Sequence, residues 1–366
     1  MVENNRNFSL DVIRIFALFL LVGLHFFLHT EFYQEVINSN RALFVTFFIV
    51  IFFCCVPLFM LLTGYLYLNQ ELEMNYYKKL IRIYTTYFVI GCICFLFESY
   101  YLGRHQSISD FIRKTLAFSL APYSWYVEMY IGLFLFIPFL ALLYRSLPSK
   151  LWKKRLILVL ILLTSISSVV NVYVFDSLSW WLHPSSSNEF VKIIPQWWVK
   201  MYPFTYFFIG CYLREYGLEI SRKNNILYLV LSLFFFGLYN VWRSFGGLYL
   251  QGNWNYWESI NNIILSSLMF NLLLNIQWSC FSSYLKVFIS KISRLVYGAY
   301  LISWVFEVIV YKYLNHFVLI SNKRLEYFVI VVPLIMILSL VGSYLVNVVI
   351  KCGFKLFKMI RFQRSV

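Results

Sequence analysis

Long runs of apolar residues recur from one end of this 366-residue chain to the other. Each is close to the roughly 20 residues that an α-helix needs to cross the hydrocarbon of a bilayer. Backbone N–H and C=O groups find no water there, so a crossing segment must be a helix or part of a closed barrel. Barrel strands alternate apolar and polar residues over about ten positions, and these runs are continuous. The expectation is an all-α, polytopic membrane protein of about ten spans, at 8–29, 43–68, 80–101, 124–144, 155–175, 200–216, 225–243, 258–277, 293–313 and 326–350. Only 13% of the residues are charged, against about 25% in a soluble domain.

The net charge is +15. It is spread in short clusters between the apolar runs rather than gathered in one basic domain, which argues against nucleic acid. It reads better as a topology signal. With the N-terminus cytoplasmic, the inner segments hold twenty Lys and Arg, including Arg6, Lys78, Lys79, Arg82, Lys153 and the run Lys351, Lys355, Lys358, Arg361 and Arg364. The outer segments hold ten. That bias puts both termini inside. The first run is interrupted by Arg14 and has no small-residue cleavage site, so it is expected to be a retained helix rather than a signal peptide. The seven cysteines sit in or beside apolar runs without metal-ligand spacing, as buried thiols do. No metal and no resident cofactor is expected. The chain reads as one membrane domain over 1–366, with a core at 8–350 and a basic cytoplasmic tail at 351–366. No fixed-period repeat supports a two-half transporter.

The first span carries Asp11, Arg14 and His25. Ionisable groups within a span are costly unless paired or wetted, so they default to a functional hypothesis. Asp11 and Arg14 are three apart and can pair on one helix face. Arg14 and His25 are eleven apart, about three turns, which puts them on one face roughly 16 Å apart along the axis. A fixed cation thus lies toward one side of the membrane and an imidazole toward the other. His29, one turn beyond His25, reads as structural at the lipid–water boundary.

Two constellations extend this stripe. Lys79 and Arg82 at the cytoplasmic mouth of the third span would join Arg14 in a cationic set suited to phosphate. Lys78 reads as a topology charge. On the outer side Glu128, about one turn into the fourth span, is expected to orient His25, with Glu307 either joining them or pairing with Arg243. An imidazole can act as a general base near neutrality when a carboxylate orients it. In the second span, Pro57 and Gly64 can kink the helix or bring backbone close to a neighbour. The outer loop at 176–199 holds the pairs Trp180–Trp181 and Trp197–Trp198, which anchor at the interface or stack on sugar rings.

Together these residues resemble the acyltransferase 3 family of integral membrane acyltransferases. Asp11, Arg14 and His25 match that family's opening aspartate-x-x-arginine and arginine-x10-histidine pattern. Phe59 to Tyr65 matches its phenylalanine, serine–glycine–aromatic motif, with Thr63 for serine. Lys79-Leu80-Ile81-Arg82 matches a basic-x-x-arginine pair, and Trp125 to Glu128 a tryptophan-x-x-glutamate pattern. Tyr297-Gly298-Ala299-Tyr300-Leu301 resembles the family's late glycine-x-tyrosine-leucine segment. There the family often continues with histidine, and this chain has Ser303. The resemblance covers residues 8 to about 350.

The resemblance implies transfer of an acyl group, usually acetyl from acetyl-CoA, onto an extracytoplasmic polysaccharide or cell-wall glycan. The implied partners are acyl-CoA, a glycan acceptor and the bilayer, in a bacterial plasma membrane. His25 and Glu128 would be catalytic, with His25 acting as base or as transient acyl carrier. Asp11, Arg14, Lys79, Arg82, Thr63, Tyr65 and Trp125 would bind substrate. Some members carry an added extracellular hydrolase-like domain, and this chain is expected to have the membrane module alone. The rival class is a flippase or transporter of a polysaccharide or its lipid-linked precursor, which would have no reason to bind acetyl-CoA. A glycosyltransferase or polymerase would want a catalytic arginine- or aspartate-rich outer loop, and the outer basic residues are spread over five loops.

Overall fold

A computed structural model describes residues 7–363, with side chains through 355. Of the inner charges, Arg6 and Arg364 lie outside the described residues, and Lys358 and Arg361 outside the described side chains. The described residues are helical with no β-strand. The main helices are α1 Phe8–His29, α2 Asn40–Phe52, α3 Cys55–Tyr67, α4 Lys79–Tyr100, α5 Ile108–Leu116, α6 Trp125–Ser146 and α7 Lys150–Thr164. There follow α8 Tyr202–Glu215, α9 Arg222–Ser244, α10 Ile260–Leu274, α11 Ser283–Ser293, α12 Val296–Phe317 and α13 Phe328–Gln363.

Six helical segments are long and apolar enough to cross a membrane, or seven if α11 and α12 count as one span bent by 64°. Ten runs were expected. The other three correspond to α7, α8 and α10, of 15, 14 and 15 residues. At 1.5 Å per residue each is about 21–23 Å long, short of the ~30 Å hydrocarbon core. The lipid-facing character is clearest on α9, where Leu227, Val230, Leu231, Phe234, Phe235 and Leu238 are all exposed.

Helix α1 lies at the centre and packs against α2, α3, α10, α11, α12 and α13. Its start is fixed by Asn7, whose side chain accepts from the Ser9 N–H. Asp11 places negative charge in its first turn, where the helix dipole favours it. The chain leaves α1 through Thr30, whose hydroxyl donates to the Phe26 carbonyl at 2.7 Å, and Glu31, at φ 64°.

The second span is not one kinked helix. It breaks at Phe53 and Cys54, between α2 and α3. Pro57 has no N–H to offer the Phe53 carbonyl four residues back, so the helix restarts just ahead of it. Further along, α3 crosses α8 with backbone against backbone. A Cβ on Gly64 would lie 1.9 Å from the Phe207 carbonyl oxygen, and one on Gly210 would lie 2.2 Å from that of Leu61. The sequence offered Gly64 as a kink or a close approach, and it is the close approach.

One open alternative is resolved by the packing, and two sequence expectations are corrected. Arg243 does not meet Glu307. It is fully buried and donates to the carbonyls of Val172, Pro184 and Ser187 at 2.9, 3.3 and 3.3 Å. Its guanidinium lies between the rings of Trp254 and Trp180, at 4.0 and 4.8 Å. Trp180 is therefore a buried part of this outer scaffold rather than a surface platform. The cysteines are not uniformly buried, because Cys280 and Cys352 are exposed.

Candidate functional site

One cavity of about 750 Å³ runs through the bundle. Arg14, Lys79, Arg82 and Arg294 line one end, and His25, Tyr123, Trp125 and Trp257 line the other. Thr63, Tyr126 and Tyr130 lie on the wall between. Because α1 supplies both Arg14 and His25, the separation of the ends follows from helix rise, at roughly 16 Å.

At the cationic end, Asp11 accepts from Arg14 Nη1 at 2.8 Å, the pairing expected from their spacing. It also accepts from Ser293 and Ser290, at 2.5 and 2.6 Å. Asp11 is fully buried and does not itself line the cavity. It positions Arg14 and ties α1 to the end of α11, just before the bend where Arg294 enters the cavity. Lys79 lies over the rings of Tyr76 and Tyr67, at 5.1 and 5.4 Å. Cation–π contacts of this kind hold an ammonium without neutralising it. Four cations from α1, α4 and the α11–α12 bend therefore face one space, a charge distribution suited to a polyphosphate.

At the other end, His25 Nδ1 lies 3.0 Å from Glu307 Oε1. Glu307 is completely buried on α12. Its second oxygen accepts from Tyr123 at 2.5 Å, and His29 Nε2 is 3.3 Å away. His29 Nε2 also lies 2.8 Å from the Tyr123 hydroxyl. Tyr123 lies in the loop before α6, and burial beside the Glu307 charge pushes its pKa well above the ordinary phenol value. It therefore stays neutral and remains a donor. A carboxylate only accepts, so His25 donates to it through Nδ1–H, while the residue itself lines the cavity. The His25 ring also packs on Tyr123, with centroids 4.0 Å apart. Tyr300 fastens that loop by donating to the Tyr123 carbonyl.

Glu128 is not the partner of His25. Tyr126 and Tyr130 of α6 face the cavity, and at 100° per residue Glu128 falls on the opposite side of the helix. It is exposed, in the first turn, where a carboxylate complements the helix dipole. Tyr65 is also displaced. The cavity face of α3 includes Phe59, Leu62, Thr63, Leu66 and Tyr67, and Tyr65 packs on Phe270 instead, at 5.6 Å. Thr63 lines the cavity and donates to the Phe59 carbonyl at 2.9 Å. Trp125 lines it too, stacked on Trp257 at 4.4 Å and 19°.

Sequence reasoning missed Tyr123, Trp257 and Arg294, read His29 as structural at the lipid–water boundary, and left Glu307 undecided. The spacing of four between His25 and His29 was the available signal, since such residues share a face. Glu307 lies 282 residues from His25, a pairing that no local pattern carries. Ser303, where the family often has histidine, is buried and donates to the Tyr300 carbonyl of its own helix at 3.0 Å.

A profile described as an acyltransferase domain, that of the acyltransferase 3 family, matches residues 7–348. Searches of curated proteins and of solved structures returned no match.

Proposed function

Because the chain belongs to the acyltransferase 3 family, we propose that it moves an acyl group, in this reading acetyl, from cytoplasmic acetyl-CoA to a hydroxyl of an extracytoplasmic cell-surface glycan. The observation that carries this reading is one continuous cavity with cations at one end and a carboxylate-backed histidine at the other. In this reading the chain crosses a bacterial plasma membrane ten times, with both termini cytoplasmic. The cationic end then faces the CoA pool and His25 faces the acceptor.

Arg14, Lys79, Arg82 and Arg294 would bind the phosphates of CoA, with Asp11 holding Arg14 in place. The thioester arm would lie along the wall past Thr63 and Tyr130 toward His25. His25 Nε2 would take the proton of the acceptor hydroxyl as its oxygen attacks the acyl carbonyl. The new C–O bond forms, the C–S bond breaks, and the proton passes to the departing thiolate. Glu307 would fix the tautomer that makes this possible and stabilise the imidazolium. His25 could instead carry the acyl group itself, and the same Nε2 would be the nucleophile.

The test combines mass spectrometry of surface glycan with acetyl-CoA binding to purified protein. His25→Ala should abolish glycan acylation while acetyl-CoA still binds. Arg14→Ala should weaken that binding by about tenfold or more, the loss of a charge-assisted phosphate contact. Normal acylation in both variants at normal protein levels would sink the assignment. Failure of the native protein to bind acetyl-CoA would favour the flippase reading.

A further inference from the structure

We propose that Trp125 and Trp257 form a platform that holds the C–H face of a neutral pyranose ring beside His25. The proposal rests on the acyl-transfer reading above and assigns its acceptor subsite.

Both tryptophans line the cavity, and they come from different elements. Trp125 opens α6, and Trp257 sits in the loop between α9 and α10. Their stack covers one face of each ring and leaves Trp125 37% exposed. Tyr126 meets Trp125 edge-on at 5.9 Å and 88°. Aromatic faces set at fixed angles suit the flat array of axial C–H groups on a pyranose. The second observation is a polar one. Trp257 Nε1 is buried and meets no acceptor among the described residues. A buried N–H without a partner is costly, and a ring hydroxyl would satisfy it once the indole shifts to uncover the atom, which is closed off in this structure. Gln251 and Tyr256, from the same loop, add an amide and a phenol to this part of the wall.

The loop is held rigidly enough to act as a platform. Asn255 donates to the Leu250 carbonyl and the Tyr249 hydroxyl, both at 3.1 Å. Tyr206 donates to the Trp257 carbonyl at 2.6 Å. Arg243 clamps Trp254 three residues earlier. The platform is also next to the chemistry, since Tyr123, two residues before Trp125, packs against the His25 ring at a tilt of 37°.

Charge selects the ring. All four Lys and Arg side chains that line the cavity are at the far end. Among the described residues no Lys or Arg lines the cavity at this end to receive a uronate or a phosphorylated sugar, so the fitting ring is neutral.

The experiment is saturation-transfer-difference NMR on the full-length protein in micelles. The probes are methyl β-D-glucopyranoside and methyl β-D-galactopyranoside, with glucuronate for comparison. Saturation is expected on one C–H face of the neutral rings, and at least about fivefold less of it on glucuronate. Trp125→Ala should lower the signal at least about fivefold. Trp257→Phe keeps a stacking ring and deletes the N–H, and should raise Kd about threefold to tenfold, the loss of one hydrogen bond. Absent saturation in the native protein, equal saturation in Trp125→Ala, or a preference for glucuronate would each overturn the proposal. Equal saturation is what mere interfacial anchoring by Trp125 predicts. Acetyl transfer from labelled acetyl-CoA is measured on the same samples. Tryptophan-dependent sugar binding without any acetyl transfer would sink the transfer reading alone. Transfer that persists in both variants would sink the platform alone.

Discussion

At the scale of single residues, the site turns on which hydrogen each group holds. Glu307 accepts at one oxygen from His25 and at the other from Tyr123, with His29 Nε2 3.3 Å from that second oxygen. An amide has one acceptor oxygen and one donor nitrogen, so it cannot serve both sides. Glu307→Gln should therefore release His25 into the wrong tautomer without emptying any space. Acyl transfer is expected to fall about 10²–10⁴-fold, the range seen when the orienting carboxylate of a catalytic histidine is neutralised. The check is transfer rate at matched membrane levels of the protein, and a rate within twofold of the native one would show that Glu307 does not orient His25. Arg14 and His25 were legible from sequence because ionisable side chains in an apolar run on one helical face are rare. Glu307 was visible as an intramembrane carboxylate, but its partner is set by how α12 packs on α1. Glu128 misled because sequence gives a residue's depth in a span more readily than the direction it faces.

At the scale of helices, the cavity exists because some neighbours touch very closely and others are held apart. Helices α3 and α8 meet through Gly64 and Gly210 with no side chain between them. The obstructing atoms are backbone carbonyls, which cannot swing away as a side-chain tip can. Gly64→Ala should therefore push the helices apart and destabilise the bundle by about 1–3 kcal/mol, the usual cost of overpacking. Thermal unfolding of the purified variant in detergent measures this, and an unchanged melting temperature would mean that the crossing is not at Gly64. The displacement would also shift Thr63, the neighbour of Gly64 on the cavity wall. The sequence marked Gly64 but could not name Gly210 as its counterpart, 146 positions later. Sequence placed the α2–α3 discontinuity near Pro57, and the break lies a few residues ahead, where the lost hydrogen bond would have ended. The ninth span read from sequence begins at 293, so α11 and its bend into α12 were missed. Next to that bend, Ser290 and Ser293 are anchored on Asp11 of another helix, a contact that no local pattern carries.

At the scale of the whole molecule, the polytopic helical class was legible from hydropathy, and the sidedness rests on the distribution of Lys and Arg. Exposed native cysteines make that sidedness measurable. Cys280 lies between α10 and α11, and Cys352 lies in the last part of α13. Two crossings separate them if α11 and α12 act as one bent span, so both should face the same compartment. In the proposed orientation, which follows the excess of positive charge, that compartment is the cytoplasm. A membrane-impermeant maleimide applied to spheroplasts should then label neither, and both should react after permeabilisation. Glu189→Cys, placed in the loop between α7 and α8, should react without permeabilisation. Three helices, α8, α9 and α10, separate position 189 from Cys280. Two of them are too short to cross an undeformed bilayer, so opposite labelling requires the membrane to thin around them or their ends to be extended by flanking interfacial residues. Labelling of positions 189 and 280 on the same side would remove one of these crossings. Reaction of Cys280 in intact spheroplasts would turn the molecule over and place the Arg14 end away from the cytoplasm. A cytoplasmic CoA donor would then be on the wrong side of the cavity, so this measurement also bears on the proposed direction of acyl transfer.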